Sequence, residues 1–578
     1  MKPRSLVIYT AASTGLASLG RACRQLQEQA PGGLQVQARG GDDLFDRKQI
    51  ERFLELARQA DNVMILLHGG KTSCPFFDEL MEAVREHEFF IHPSGEDEIE
   101  LAQEYCPDFG QERFNQTALY LKHGGEHNWL HLLRREAGLE CEPPRPQPCQ
   151  ALYHPRLGAV ETLEEYLAGL GVNLDAVLNP GEPVLGLWFG QYLYLDGNLA
   201  HIDAMVRAME DAGCLPICCF YRRYPDSLLE VKDTRWVFDN YFRHQGRKLI
   251  QALISPMVFS LNLNLPEEAG VLAELDVPVL QAINTSNNRQ QWEETVQAVT
   301  PMDVGFAVAA PEFDGNLISV AMATREQTRR DPLTGAMLTH MEAIPGRVDK
   351  IACLARNWGR LALKTNADKR IAIVFHNYPP RNDRIGCAAG LDSFASISDL
   401  LARLRDEGYR VDDVYPDPQD LANSMIGGLT SDQRWLTMDK LAHRAADQAG
   451  PERTGPWTAE LPARSQAHLA ADWGPSPGEL FVHDGKVLIN GFINGNVYLG
   501  VQPPRGFIEQ PEKIHDPHLA PSHHYLFYYR WVRDVFGADA VIHVGKHGSL
   551  EWLPGKSVGL SRECYPDLAI MDLPNIYP

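Results

Sequence analysis

Apolar and polar positions alternate along this chain in blocks whose period changes. Short runs of β-branched and aromatic residues, which suit strands buried in a parallel sheet, are followed by longer stretches with the period of an amphipathic helix. Between residues 5 and 94 the runs SLVIYTA, LQVQAR, NVMILLHGG and FFIHPS are separated by a helix from about Gly15 and a second over FFDELMEAVREH. That order predicts a doubly wound α/β layer. The proline-rich CEPPRPQPC of residues 141–149 reads as a linker. The alternation then resumes with strands in VLGLWFGQYLY, CLPICCFY, ISPMVFS, VPVLQAI and VGFAVAAPE and a helix over HIDAMVRAMEDAG. A helix over VDKIACLARNWGRLALK opens a third series, which runs from RIAIVF to ADAVIHV across a Pro-, Gly- and Ala-rich stretch, 450–478, expected to be flexible. The predicted organisation is 1–140, a linker 141–155, 156–368 and 369–578.

The chemistry concentrates at the end of the last apolar run. ADAVIHV is followed by Gly545 and Gly548, which bracket Lys546 and His547 and suit a sharp turn at the carboxyl end of a strand. In open α/β sheets ligands bind there. His543, His547 and Glu551 recur every four residues, but the glycines argue against one helix, so the three are expected on strand end, loop tip and following turn, converging on one point. Imidazole binds borderline divalent metals and titrates near neutrality, and a partly buried glutamate can act as a base. His376 and Asp392 follow another strand, His523 and His524 open a helix, His515 and Asp516 lie before it, and Arg505 lies in a QPPRG loop where a guanidinium can hold a carboxylate. Glu312 and Asp314 in PEFDG either bind a cation or cap a turn. His123 and His127 stand four apart, but Gly124 and Gly125 break the helix that would align them, so KHGGEHNWLHLLRR reads as a glycine loop entering a helix at Trp129, or as a substrate or metal contact.

The stretch H-x-G-K-H-G-x-L-E-W-L-P-G-K resembles the signature of the large subunit of cobaltochelatase, to which magnesium chelatase has a related subunit; Lys546 and Trp552 lean toward the cobalt type. Matching words run from Asn377 to Pro578, with Phe394 standing where the family has proline. The resemblance implies several flavodoxin-like or Rossmann-like domains around a central tetrapyrrole cleft, and insertion of cobalt(II) into a corrin precursor in cobalamin biosynthesis. The alternatives are a magnesium or nickel chelatase, a haem dechelatase that removes iron, and a non-catalytic tetrapyrrole-binding protein. It casts Glu551, His547 and His543 as catalytic residues and transient metal ligands. Arg505, Lys546, Lys556, His523, His524, Asp392 and His376 become contacts to the corrinoid or porphyrin. It also implies Mg-ATP consumed by a separate AAA+ subunit working through an adaptor subunit. Because the family runs on for several hundred residues more, the chain is expected to be a fragment or one half of a split gene.

Composition narrows the partners. Among 578 residues the net charge is -22 and no basic stripe appears, which excludes a broad nucleic-acid surface. No apolar run is long enough to span a bilayer. Eleven cysteines without a C-x-x-C pair predict neither a disulfide framework nor a zinc finger, and point to a reducing cytoplasm. LLHGGKTS imitates a phosphate loop, yet Ile65 stands where its first glycine belongs, so no nucleotide site is expected there.

Overall fold

The structure, a computed structural model, describes residues 4–577 apart from 14, 225, 227, 435, 507–512 and 514–515. Three sheets with parallel cores succeed one another along the chain. The first has four parallel strands in the order Leu34–Gly40, Arg4–Thr10, Asn62–Leu66, Glu88–Ile91. The second has eight, and its parallel centre is Leu317–Arg330, Val279–Thr285, Ala252–Ser255, Val184–Gly190 and Leu215–Tyr221, with antiparallel strands at both edges. The third runs Phe492–Asn494, Val497–Val501, Ile371–Phe375, Ala540–Val544, Asn575–Ile576, and only its first pair is antiparallel.

The uninterrupted apolar runs follow from burial on both faces, the condition under which parallel sheets occur. Ile371, Ile373 and Phe375 face a core shared with Ile397 and Leu401, whereas Ala372 and Val374 face one shared with Tyr525, Phe527 and Trp531. Removing one such side chain, as in Ile373→Ala, should cost about 2–5 kcal/mol. The chain is thus a mixed α/β protein built on parallel sheets. Among the described residues no helix is long and apolar enough to cross a membrane.

Three local expectations fail. VGFAVAAPE is helical, because Thr300 and Asp303 form a capping box with Pro301 in the first turn, and an apolar run of that length does not by itself tell strand from helix. Residues 450–478 are ordered by helices Pro451–Ala459 and Ala463–Trp473, packed through Trp457 and Leu469. The stretch expected as linker to 155 already forms strand Gln150–His154 of the second sheet.

Polar contacts join the units. Ser18 donates to Asp196 and Lys122 pairs with Asp226 between the first and second. Arg347 and Lys350 both hold Asp567, and Trp292 Nε1 donates to the Gly559 carbonyl, between the second and third.

Candidate functional site

Strands Val497–Val501, Ile371–Phe375 and Ala540–Val544 run parallel in a register that pairs Phe375 with both Val501 and Val544. His376, Gln502 and Gly545 therefore leave the sheet together at one rim, where the ends of parallel strands form ligand sites. Gly545 has φ 113°, and a Cβ there would stand 2.8 Å from the His376 Cβ. Only glycine allows this close approach. The turn is tied from beneath: Gly548 N donates to Tyr577 Oη at 2.6 Å and Ser549 N to Gln502 Oε1 at 2.9 Å, before the short helix Leu550–Trp552. Lys546, His547 and Glu551 are left on the exposed side.

Charge is tuned on both sides of the turn. Burial raises the Glu551 carboxyl above its ordinary 4.5, with its own backbone N–H and nearby His547 pulling the other way. Burial also lowers His376, with Gln502 opposing and His547 adding to the shift. His376 is 8% exposed and its Nδ1 has no hydrogen-bond partner. The rim thus gathers two imidazoles suited to a borderline divalent metal and a carboxyl that holds its proton to higher pH than usual.

His543 is excluded from that group by its bonds. Gln502 accepts from Ser549 through Oε1 and donates through Nε2 to Tyr529 Oη at 2.9 Å, so the Tyr529 hydroxyl is free to donate to His543 Nε2 at 2.8 Å. The imidazole proton then sits on Nδ1 and goes to Asn575 Oδ1 at 2.8 Å. Burial pushes its pKa down to about 4, so the ring is neutral and both nitrogens are occupied. The expected convergence of His543, His547 and Glu551 is not formed: His543 is turned inward, and His376 and Glu551 each feel the charge of His547 without the three closing to a common ligand distance. Sequence reasoning missed Gln502, since a lone glutamine carries no spacing signal. Tyr525 and Tyr529, one helical turn apart on His523–Trp531, did carry one.

Most of the other expected contacts are used inside the protein. Arg505, 2% exposed, donates to the carbonyls of Asp516 and Leu519 and so organises its own loop instead of facing a substrate carboxylate. Lys556 donates to the carbonyls of Glu293 and Thr295 at 2.9 and 2.8 Å and joins the third unit to the second. His523 and His524 are both buried, bonded to the Gly474 and Leu488 carbonyls, with His524 stacked on Phe481. Asp392 caps helix Ser393–Asp406 through Ala395 N, and Asp314 accepts from Ser260 and from the backbone of Leu261 and Asn262. Lys546 stays exposed on the turn, its backbone N–H donating to the Cys387 carbonyl. His515 lies outside the described residues. On its inner side Glu551 also borders a cavity of about 330 Å³ between the second and third units, walled by Leu280, Lys350, Leu550 and Asn575.

The imitation phosphate loop is filled from within: Gly69 N and Gly70 N both donate to Glu98 Oε1 at 2.8 Å, and Lys71 reaches Tyr105 Oη.

The family model described as CobN/Magnesium Chelatase matches residues 118–578. Over 595 residues the chain is 32% identical to the aerobic cobaltochelatase subunit CobN of Pseudomonas aeruginosa, covering 100% of this chain and 45% of that one. It is 37% identical to the protein MJ0908 of Methanocaldococcus jannaschii, over 92% of this chain and 44% of that one. The solved catalytic subunit of cobaltochelatase from Mycobacterium tuberculosis superposes with a TM-score of 0.66 at 28% identity, covering 100% of this chain and 45% of that one. The chain spans less than half the length of these relatives, and the family match over residues 118–578 together with these identities makes it a member of the CobN/magnesium chelatase family.

Proposed function

We propose that this chain is the tetrapyrrole-binding part of the large subunit of a metal chelatase that inserts cobalt(II) into a corrin precursor. The observation that carries the proposal is the turn of residues 545–551, tied down by Gln502 and Tyr577 so that His547 and Glu551 stand open beside His376. Insertion demands that a divalent ion shed water, that two pyrrole protons leave, and that a stiff ring bend. In this reading His547 takes the ion in exchange for water, beside His376, whose proton affinity burial lowers. In the same reading Glu551, whose proton affinity burial raises, receives a pyrrole proton. Lys546 is the exposed cation on the turn and the candidate partner for a carboxylate on the ring edge.

Among the described residues the loop that imitates a phosphate loop is filled by Glu98, so the work of ring distortion is sought outside this chain. That work is assigned to Mg-ATP hydrolysis by an AAA+ subunit acting through an adaptor, in a reducing cytoplasm that keeps the eleven cysteines as free thiols.

The test is a screen of corrinoid and porphyrin acids by fluorescence quenching, followed by insertion of cobalt, magnesium and nickel with the remainder of the family's length and the ATPase present. Cobalt-selective insertion into a corrinoid is the expected result. Magnesium-selective insertion into a porphyrin would overturn the metal and ring assigned, and tight ring binding with no insertion of any metal would overturn the enzyme reading.

A further inference from the structure

The glycine pair in KHGGEHNWLHLLRR does not delay the helix to Trp129. One helix, Glu112–His123, ends at Gly124 with φ 60°, and the next begins at Gly125 and runs to Glu136. The pair on one helical face is therefore His127 and His131, whose ring centroids lie 4.5 Å apart. Beyond the helix Gly138, φ 72°, turns the chain back, and residues 140–149 cross over the helix as an extended strap. Asn128 clamps that strap, donating to the Arg145 carbonyl at 2.9 Å and accepting from Arg145 N at 2.8 Å, while Glu142 N donates to His131 Nδ1 at 2.8 Å.

The strap brings Glu142 Oε2 to 3.5 Å from His127 Nε2 and 3.9 Å from His131 Nε2. One ligand atom from each residue lies within 4.8 Å of the others, and this is the one such group of three among the described residues. His127 Nε2 is buried and makes no hydrogen bond. We propose that His127, His131 and Glu142 form a binding site for a borderline divalent ion of the zinc or cobalt class, apart from the rim of the third sheet.

The spacing suits such an ion. Nitrogen and oxygen ligands about 2.0–2.1 Å from a tetrahedral ion stand roughly 3.4 Å from one another, so the two carboxylate–imidazole separations need to close by at most about half an ångström. Two imidazoles and one carboxylate favour zinc, cobalt or nickel over magnesium, and leave a fourth position to water. The Glu142 side chain is 68% exposed, which gives an ion a way in from solvent. Because His131 Nδ1 accepts from a backbone N–H, its ring proton sits on Nε2. Ligation through Nε2 therefore requires the tautomer whose proton sits on Nδ1, so uptake of an ion breaks the bond from Glu142 N.

The test titrates the full chain with Co²⁺, read by its visible d–d absorption, and then displaces it with Zn²⁺. His127→Gln and Glu142→Gln should each weaken uptake at this site at least about tenfold. His547→Ala and Glu551→Gln should leave it unchanged, which separates this site from the rim and from the proposed activity. Should His127→Gln fail to fold, Glu142→Gln decides alone, because that side chain is mostly in solvent. Equal stoichiometry and affinity in wild type and Glu142→Gln, or no uptake below about millimolar Co²⁺, would mean that the three residues make only an ion pair, and the proposal would fall.

Discussion

Two loops in this chain share a plan and differ in outcome. Both leave the carboxyl end of a parallel strand, and both carry glycines at positive φ beside a lysine: Gly69, Gly70 and Lys71 after Asn62–Leu66, and Gly545 and Lys546 after Ala540–Val544. In the first, the amides that would cradle an anion are taken by Glu98, itself buried. In the second, the inner bonds fall on Gly548 and Ser549, and Lys546 and His547 before them and Glu551 after them are exposed. The two turns differ in which face the protein satisfies: the anion-facing amides in the first, the inner face in the second.

The largest expected effect lies at the open loop. His547→Ala removes the exposed imidazole proposed to take the ion without disturbing the bonds beneath, and should lower metal insertion by about 10²–10⁴ while ring affinity changes little. Loss of ring binding in parallel would mean that the turn holds the substrate rather than the ion.

The second effect concerns the support beneath. His543 titrates at about 4 in the folded chain against 6.5 as its ordinary value. The unfolded state therefore takes up the proton first as pH falls. Stability contributed by the neutral ring is present above about pH 6.5 and is lost between there and about 4, a change of about 3 kcal/mol. The midpoint of thermal unfolding against pH should show a shallower acid limb in His543→Gln than in wild type. An unchanged limb would place the acid sensitivity in other buried imidazoles such as His524.

The smallest effect lies at the closed loop. Glu98→Ala strands two glycine amides and should destabilise the first unit by about 1–3 kcal/mol with ring binding and insertion intact. Added inorganic phosphate should recover part of that loss in the variant and none in wild type. Recovery in both would show that the loop already accepts an anion.

How far this contrast was legible in the sequence follows from what each residue's partners are. The strand ADAVIHV and its glycine turn could be read, because burial on both faces writes an apolar run and close backbone approach demands glycine. Arg505 and Lys556 could not, since Arg505 Nη2 and Lys556 Nζ donate to backbone carbonyls, those for Lys556 more than 250 positions away. No residue type at the acceptor advertises such a bond. The phosphate-loop imitation was rejected for its missing glycine, while the actual occupant, Glu98, lies one strand further on. That His543 turns inward was not legible, because the facing of a residue on a buried strand depends on the neighbouring helix, from which Tyr529 meets its ring here.

The central claim is that the open turn carries out the reaction instead of merely shaping the cleft, and Glu551→Gln tests it most directly. The substitution keeps shape and hydrogen bonding but removes the base. Insertion by the assembled enzyme is measured across pH with ring binding followed in the same samples. Because the Glu551 carboxyl is raised above 4.5, wild-type insertion should lose activity on the acid side at a pH above the ordinary carboxylate range, as the base becomes protonated. The account predicts that Glu551→Gln lowers insertion by about 10²–10⁴, abolishes that acid limb and leaves ring affinity near wild type. Near-normal insertion with the acid limb intact would contradict it.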